Sequence, residues 1–316
     1  MFKIRAVLSD EVYDEISLEE IFAVDVHDKK KISVLVRELC GLYPISELSH
    51  LKRVRSTDGI IQVLISPTNS ETIESFTQKL RPRIDFTGLG SVSIVQVCRT
   101  KPITRAQFVA ATKFWPTNFH ENKRLEKALG GELFSEEEAS LIKSFMDAAG
   151  SKNGADELLG TADGGAVVVD PLTHTIVAQG VSDSLHPLKH AVMVAIDNVA
   201  VQQGGGAWNQ GKASLLQGHL SDSGLIPAKE EEINSQDVEM PTAKRSKKSA
   251  QYLCTGYDLY TVKEPCVMCS MALVHSRIGR VFYSQNNNED GGLGSKYKIH
   301  LQEGLNHHFE VYNTLS

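Results

Sequence analysis

No apolar run in the 316 residues approaches the roughly 20 that cross a bilayer as a helix. The opening stretch, MFKIRAVLSDEVYDEI, carries acidic residues where a secretory leader needs an apolar centre. Neither membrane insertion nor export is expected. Cysteine is scarce as well: five residues, an odd number, do not make a disulfide framework. Cys40, Cys98 and Cys254 stand singly in apolar runs and read as small buried hydrophobes. A reducing intracellular compartment is the expectation. Strong charge of one sign is missing too. The net charge is −6, with 41% hydrophobic and 23% charged residues, an ordinary soluble composition. Any contact with nucleic acid must come from local patches.

A chain of this length suits about two domains. Residues 19–98 read as six short elements. EEIFAVDVHD (19–28) is strand-like, and KKISVLVRELCGLYP (30–44) is an amphipathic helix stopped at Gly41 and Pro44. HLKRVRS (50–56) and GIIQVLISP (59–67) form a hairpin around Thr57-Asp58-Gly59. SETIESFTQKL (70–80) is a helix with Ser70 as N-cap, and GSVSIVQVC (90–98) closes the series as a strand. Strand-helix-strand-strand-helix-strand is the ferredoxin-like α+β order, which we assign to residues 1–99.

Residues 100–134 read as a connector with one helix, 104–115, broken by Pro116. A second unit, 135–316, opens at Ser135, followed by three glutamates that suit a helix N-terminus. Strands 164–171 and 175–181, a buried helix 188–202, a strand 252–262, a helix 265–275 and strands 280–283 and 307–313 give an α/β unit with a partly parallel sheet. Residues 204–250 interrupt it and read as a disordered insertion, with a glycine triplet and few large apolar residues after Leu225. Its basic cluster, Lys244, Arg245, Lys247 and Lys248, reads equally as a nuclear-import signal or as a solvated stretch. The first reading places the protein in nucleus and cytoplasm.

Pro265-Cys266-Val267-Met268-Cys269 at the mouth of a helix is the sharpest local signal. Two thiolates three positions apart can hold one tetrahedral zinc ion, and the helix N-terminus favours their charged form. Redox motifs share the C-x-x-C spacing, but a thioredoxin-like pair belongs after the first strand, and this one lies near the end. His190 starts the buried helix and can supply a third ligand. One histidine and two cysteines leave a fourth position open, as catalytic zinc sites do.

His190-Ala191-Val192 with the cysteine motif resembles the H-x-E…P-C-x-x-C signature of zinc nucleobase deaminases, with one departure. The run TVKEPCVMCSMALVHSRI (261–278) is similar to the tRNA adenosine deaminase branch, which carries E-P-C-x-M-C-x-x-A-L-x-H-x-R-I. That resemblance implies a cytidine-deaminase-like three-layer α/β/α fold over 135–316, Zn2+ on His190, Cys266 and Cys269, and interface or packing roles for His275 and Arg277. The departure is Val192, where the signature has the glutamate that moves the proton. Together with the extra N-terminal domain, it makes the chain resemble the non-catalytic subunit of the eukaryotic heterodimeric tRNA adenosine deaminases. LKRVR (51–55) and the 104–121 segment are similar to that family as well. The resemblance implies a catalytic homologue as partner, and tRNA whose wobble adenosine is converted to inosine.

Local charge suggests how RNA is held. Between Pro44 and Arg124 twelve basic residues face six acidic ones, +6 in a chain of −6. The expected contacts are Lys52, Arg53, Arg55, Lys79, Arg81 and Arg83, with Lys296 and Lys298 after the glycine-rich loop 291–294. Strand alternation in LKRVR sends Arg53 and Arg55 to one face, as the exposed pair. Two rivals remain: a self-sufficient nucleoside deaminase whose proton shuttle comes from elsewhere, and a zinc-stabilised scaffold without RNA.

Overall fold

A computed structural model describes residues 2–151, 164–208 and 252–315. Most of the 204–250 insertion, with its basic cluster, lies outside the described residues. Two compact units divide the chain, Leu8–Leu133 and Met1–Val7 together with Phe134–Ser316. The first strand, β1 (Lys3–Ala6), therefore belongs to the C-terminal unit.

Within Leu8–Leu133 the order is β2 (Leu18–Val26), α1 (Ile32–Leu42), β3 (Val54–Thr57), β4 (Ile60–Pro67), α2 (Ile73–Leu80), β5 (Leu89–Cys98), α3 (Arg105–Thr112) and α4 (Lys123–Gly130). The sheet runs β3-β4-β2-β5 with every pair antiparallel, the ferredoxin-like arrangement. Asp58 and Gly59 take φ of 52° and 81°, a turn with both central residues left-handed that joins β3 to β4. Alternation along the strands sends Phe22, Val24, Ile61, Val63 and Ile65 to one face, beneath Leu35 and Leu39 of α1 and Phe76 and Leu80 of α2. The opposite face is covered too: Ile21, Ala23 and Leu64 pack under Leu48, Leu51 and Trp115. Trp115 lies in the stretch expected as a connector. Its indole N–H donates to the Lys52 carbonyl at 2.6 Å, so residues 100–133 are built into this unit.

Three details differ from expectation. α2 is capped by Thr72, whose hydroxyl accepts from the Ser75 N–H at 3.3 Å; Ser70 sits at φ 64°, outside the helix. Residues 50–53 are not strand, and Leu51 bridges to Thr117. Consequently Arg53 and Arg55 are not an exposed pair. The Arg53 guanidinium donates to Leu39 and Tyr43 carbonyls at the end of α1 (3.2 and 2.9 Å) and to Leu64 and Ile65 carbonyls of β4 (2.8 and 3.0 Å). Carbonyls at a helix C-terminus have no partner within the helix, and a guanidinium answers both their hydrogen bonds and their dipole. Arg55 lies 4.1 Å over the Trp115 ring, bonds Gln62, and reaches the Phe114 carbonyl at 2.7 Å. Arg53→Ala, which removes all four of these bonds, is expected to cost about 3 kcal/mol. Urea unfolding followed by Trp115 fluorescence in a Trp208→Phe background reads that loss, and Arg53→Lys recovers only part of it because one ammonium cannot serve four carbonyls.

The C-terminal unit holds α5 (Glu136–Gly150), β6 (Gly165–Asp170), β7 (Thr175–Val181), α6 (Ala191–Gln202), β8 (Asp258–Lys263), α7 (Val267–Ser276), β9 (Arg280–Gln285) and β10 (Glu310–Leu315). Ser135 and Glu138 make a reciprocal capping box at α5. The sheet order is β1-β10-β9-β8-β6-β7. Strands β8, β9 and β10 are parallel, and the outer pairings are antiparallel. One face carries Val168, Leu259, Val281 and Val311 against α6 and α7. On the other, Tyr260, Phe282 and Tyr312 stack at centroid spacings of 4.7 and 4.9 Å, and Phe145 of α5 closes on Tyr260 at 5.1 Å. The result is a three-layer α/β/α unit.

β1 is held by β10 and by His300, whose Nε2–H donates to the Val7 carbonyl at 3.1 Å. His300 is 1% exposed, and its Nδ1 has no partner among the described residues. Burial pulls its pKa down to about 4. The unfolded chain takes up this proton near pH 6.5, so it binds more protons than the folded one between pH 4 and 6.5. Stability is full above pH 6.5 and falls as pH drops through that window, by about 3 kcal/mol at most. The difference between wild-type and His300→Gln unfolding curves across pH 4–7 isolates this slope. Parallel curves would show that His300 contributes none of it.

Candidate metal centre

Two helix N-termini meet near the end of the inner strand β8. His190 is the N-cap of α6 and Cys266 the N-cap of α7, both in extended backbone, and neither spends its side chain on a capping bond. At α6 the Ala191 N–H instead donates to the Ser182 hydroxyl at 3.0 Å. The freed side chains turn toward one another. His190 Nδ1 lies 3.5 Å from Cys266 Sγ and 3.6 Å from Cys269 Sγ, and the three ligand atoms fall within 4.8 Å of each other. Zinc with Zn–N near 2.05 Å and Zn–S near 2.3 Å in tetrahedral geometry requires N···S separations of about 3.6 Å. Both N···S separations match that value. Among the described residues no other group of histidine, cysteine and carboxylate side chains is gathered this way. A hydrogen bond from Cys269 holds the Cys266 thiol far below its usual range, at about 5, despite burial. A thiolate is the form that binds metal.

Close backbone approaches fix these positions. A Cβ on Gly180 of β7 would lie 2.1 Å from the Ala191 carbonyl, so α6 seats directly on the strand only because this residue is glycine. On the other side, loop 287–295 folds over the start of α7. Gly291 bridges to Cys266, and the Gly292 N–H donates to the Pro265 carbonyl at 2.9 Å. A Cβ on Gly292 would meet Ser270 Oγ at 2.4 Å.

The side chains around the ions' place decide what chemistry is possible. Val192, in the first turn of α6, is 4% exposed and lines one cavity of about 150 Å³ with His190, Cys266 and Cys269. It offers no atom that takes or gives a proton. Glu264, 2% exposed beside the cysteine motif, is no substitute. Its carboxylate accepts from the N–H groups of Asn287, Leu293 and Ser295, each at 3.0 Å, and from the Ser295 hydroxyl. It anchors the loop. Asp197, midway along α6, is occupied by the Ala207 N–H. Asp290 lies exposed on the cavity rim, bonded by Asn287.

Of the residues expected to hold RNA, Lys52, Arg81 and Arg83 are exposed, the Arg81 guanidinium lying 5.3 Å from the Phe86 ring centroid. Lys79 is paired with Glu71 at 2.6 Å, and Arg53 and Arg55 are internal fasteners. Lys296 donates to the Glu289 carbonyl at 2.8 Å, and Lys298 is half-buried nearby in sequence. His275 and Arg277 are both exposed rather than packed, Arg277 at φ 61° as the C-cap of α7. The anchoring role of Glu264 and the capping hydroxyl of Ser182 have no separate sequence signal; only the glycines at 291–294 hint at a loop pressed against the motif.

Residues 19–115 match the family model of the tRNA-specific adenosine deaminase TAD3 N-terminal domain. Residues 142–285 match the cytidine and deoxycytidylate deaminase zinc-binding region. Over nearly the whole chain the sequence is similar to the "Probable inactive tRNA-specific adenosine deaminase-like protein 3" of Danio rerio, 39% identical across 98% of this chain and 91% of that protein. The Homo sapiens protein of the same name is 38% identical across 97% of this chain and 87% of its own length. "tRNA-specific adenosine deaminase TAD3" of Arabidopsis thaliana is 29% identical across 90% and 88%. A ferredoxin-like unit, a deaminase-type α/β/α unit and this unbroken similarity agree: the chain belongs to the family of tRNA-specific adenosine deaminase-like protein 3.

Proposed function

We propose that this chain is the non-catalytic subunit of a tRNA adenosine deaminase that makes inosine at the wobble position, paired with a catalytic homologue of its own fold. One observation carries the reading: the three metal ligands are intact and correctly spaced, while Val192 stands where the proton shuttle belongs. His190, Cys266 and Cys269 would hold zinc, which would supply Lewis acidity. The reaction also requires a group that takes a proton and passes it to the leaving amine, and its loss costs typically two to four orders of magnitude. Glu264 and Asp197 are committed elsewhere. The metal then serves to tie α6 to α7.

The second part of the reading is that the N-terminal unit positions tRNA through its phosphates. Both faces of its sheet are covered, so bases do not stack on the strands as they do on an open sheet. The exposed Lys52, Arg81 and Arg83, with Lys296 in the other unit, supply phosphate contacts. Co-expression of the two subunits, followed by tRNA deamination assays and zinc analysis of each, tests the proposal. The pair makes inosine, the lone chain acts on neither tRNA, adenosine nor cytidine, and both subunits carry zinc. Turnover by the lone chain overturns the reading in favour of a self-sufficient deaminase.

A further inference from the structure

Folding sorts the basic residues of the N-terminal unit into those already used and those left over. Arg53 and Arg55 are spent on backbone carbonyls, Lys79 on Glu71, and Arg105 on Glu121 at 3.0 Å. Lys52 and Lys101 are exposed, and neither ammonium has an ion-pair or hydrogen-bond partner among the described residues. Both line the same cleft of about 490 Å³, within the roughly 300–1,000 Å³ of small-molecule sites. Among the described residues no carboxylate lines it. An adjoining cleft shares Lys101, but there Glu11, Asp14, Glu15 and Glu47 outnumber the basic side chains. The two clefts share Ser49, His50, Lys101 and His120, so Lys101 stands where they meet, while Lys52 lines only the cleft without carboxylates.

The basic cleft also has an aromatic wall. Phe108 and Phe119 stack at 4.9 Å with 14° between their planes, and both remain half-buried rather than sealed in. Its frame is rigid. Lys52 N–H donates to the Pro116 carbonyl at 2.9 Å, Asn118 N–H to the His50 carbonyl at 2.7 Å, and the Trp115 indole to the Lys52 carbonyl at 2.6 Å. A site so held loses little freedom when it binds. Unpaired cations beside an accessible ring are what a splayed-out nucleotide requires: phosphate on charge, base on an aromatic face. A paired strand cannot present its bases this way.

We propose that this cleft holds an unpaired nucleotide of the RNA, its base against Phe119 and its flanking phosphates at Lys52 and Lys101. The inference rests on the reading that this unit positions tRNA and names where it does so. Fluorescence anisotropy of the two-subunit complex with a tRNA transcript, over a salt series, tests it. Lys52→Ala with Lys101→Ala weakens binding at least about tenfold and lowers the slope of log K against log salt by about 1.4, the share of two single-strand phosphates. Phe119→Ala weakens binding about tenfold and leaves the slope unchanged. Both lysines are exposed and unpaired, so their variant folds and carries the test even if the loss of Phe119 unsettles its partner ring.

Wild-type affinity and slope in the lysine variant overturn the cleft. If Arg81→Ala with Arg83→Ala weakens binding while the cleft variants do not, RNA positioning stands and this site falls. If the wild-type complex binds tRNA no tighter than the catalytic subunit alone, the positioning reading falls and the cleft with it. Cleft variants that fail to co-purify with the catalytic subunit show a protein contact instead, which also overturns the proposal.

Discussion

Replacing Cys269 by alanine is expected to lower the unfolding midpoint of the C-terminal unit by about 8–16 °C. Metal at about a thousandfold over its Kd stabilises the folded state by about 4 kcal/mol, and in a unit of this size each kcal/mol is worth about 2–4 °C. The physical reason is local. His190 and Cys266 are N-caps that do not cap, so without the ion the starts of α6 and α7 lose the group that joins them. Two cysteine sulfurs, on residues 7% and 1% exposed, are left facing a histidine. Calorimetry of wild type with and without a chelator, beside Cys269→Ala, provides the measurement. Chelation of wild type reproduces most of the shift, and added zinc does nothing for the variant. Equal midpoints in all samples would mean that the cluster contributes no stability.

Val192→Glu is the second large expectation, and it is a negative one. If the missing glutamate were the whole defect, the variant would gain two to four orders of magnitude in rate. We expect it to remain at the wild-type background when assayed alone on tRNA. The cavity at the metal ligands is about 150 Å³, below the roughly 300 Å³ at which small-molecule sites begin, and loop 287–295 is pinned over it by Glu264. Val192→Gln serves as the control for folding and metal content. Turnover by Val192→Glu well above Val192→Gln would show a pocket still able to admit an adenosine.

What the sequence disclosed follows from how local each cause is. The capping box at Ser135 and Glu138, the Asp58-Gly59 turn and the cysteine motif depend on residues within a few positions, and all are visible in one line of text. Arg53 was misread because strand alternation says nothing of a helix end ten or more residues away; the carbonyls of Leu39 and Tyr43 claim its guanidinium. β1 is hidden in the sequence for a similar reason: four residues, Lys3-Ile4-Arg5-Ala6, pair as a strand with β10 at the other end of the chain. α4, capped by Asn122 and ended by Gly131 at φ 73°, carried both signals plainly but no apolar stripe that reaches a core, and was passed over. In the sequence Glu264 is only the residue before Pro265. Its role exists only once the loop from Asn287 to Ser295 closes on it.

The account stands on one claim, that in the working enzyme all chemistry belongs to the partner. The direct measurement is inosine formation by a complex in which the catalytic glutamate of the partner is replaced by alanine and this chain is wild type, with intact zinc in both subunits. The predicted result is no inosine above the uncatalysed background, although the complex still assembles and binds tRNA. Inosine formed by that complex, and lost when His190 or Cys269 of this chain is also replaced, would place catalysis at the Val192 site and contradict the account.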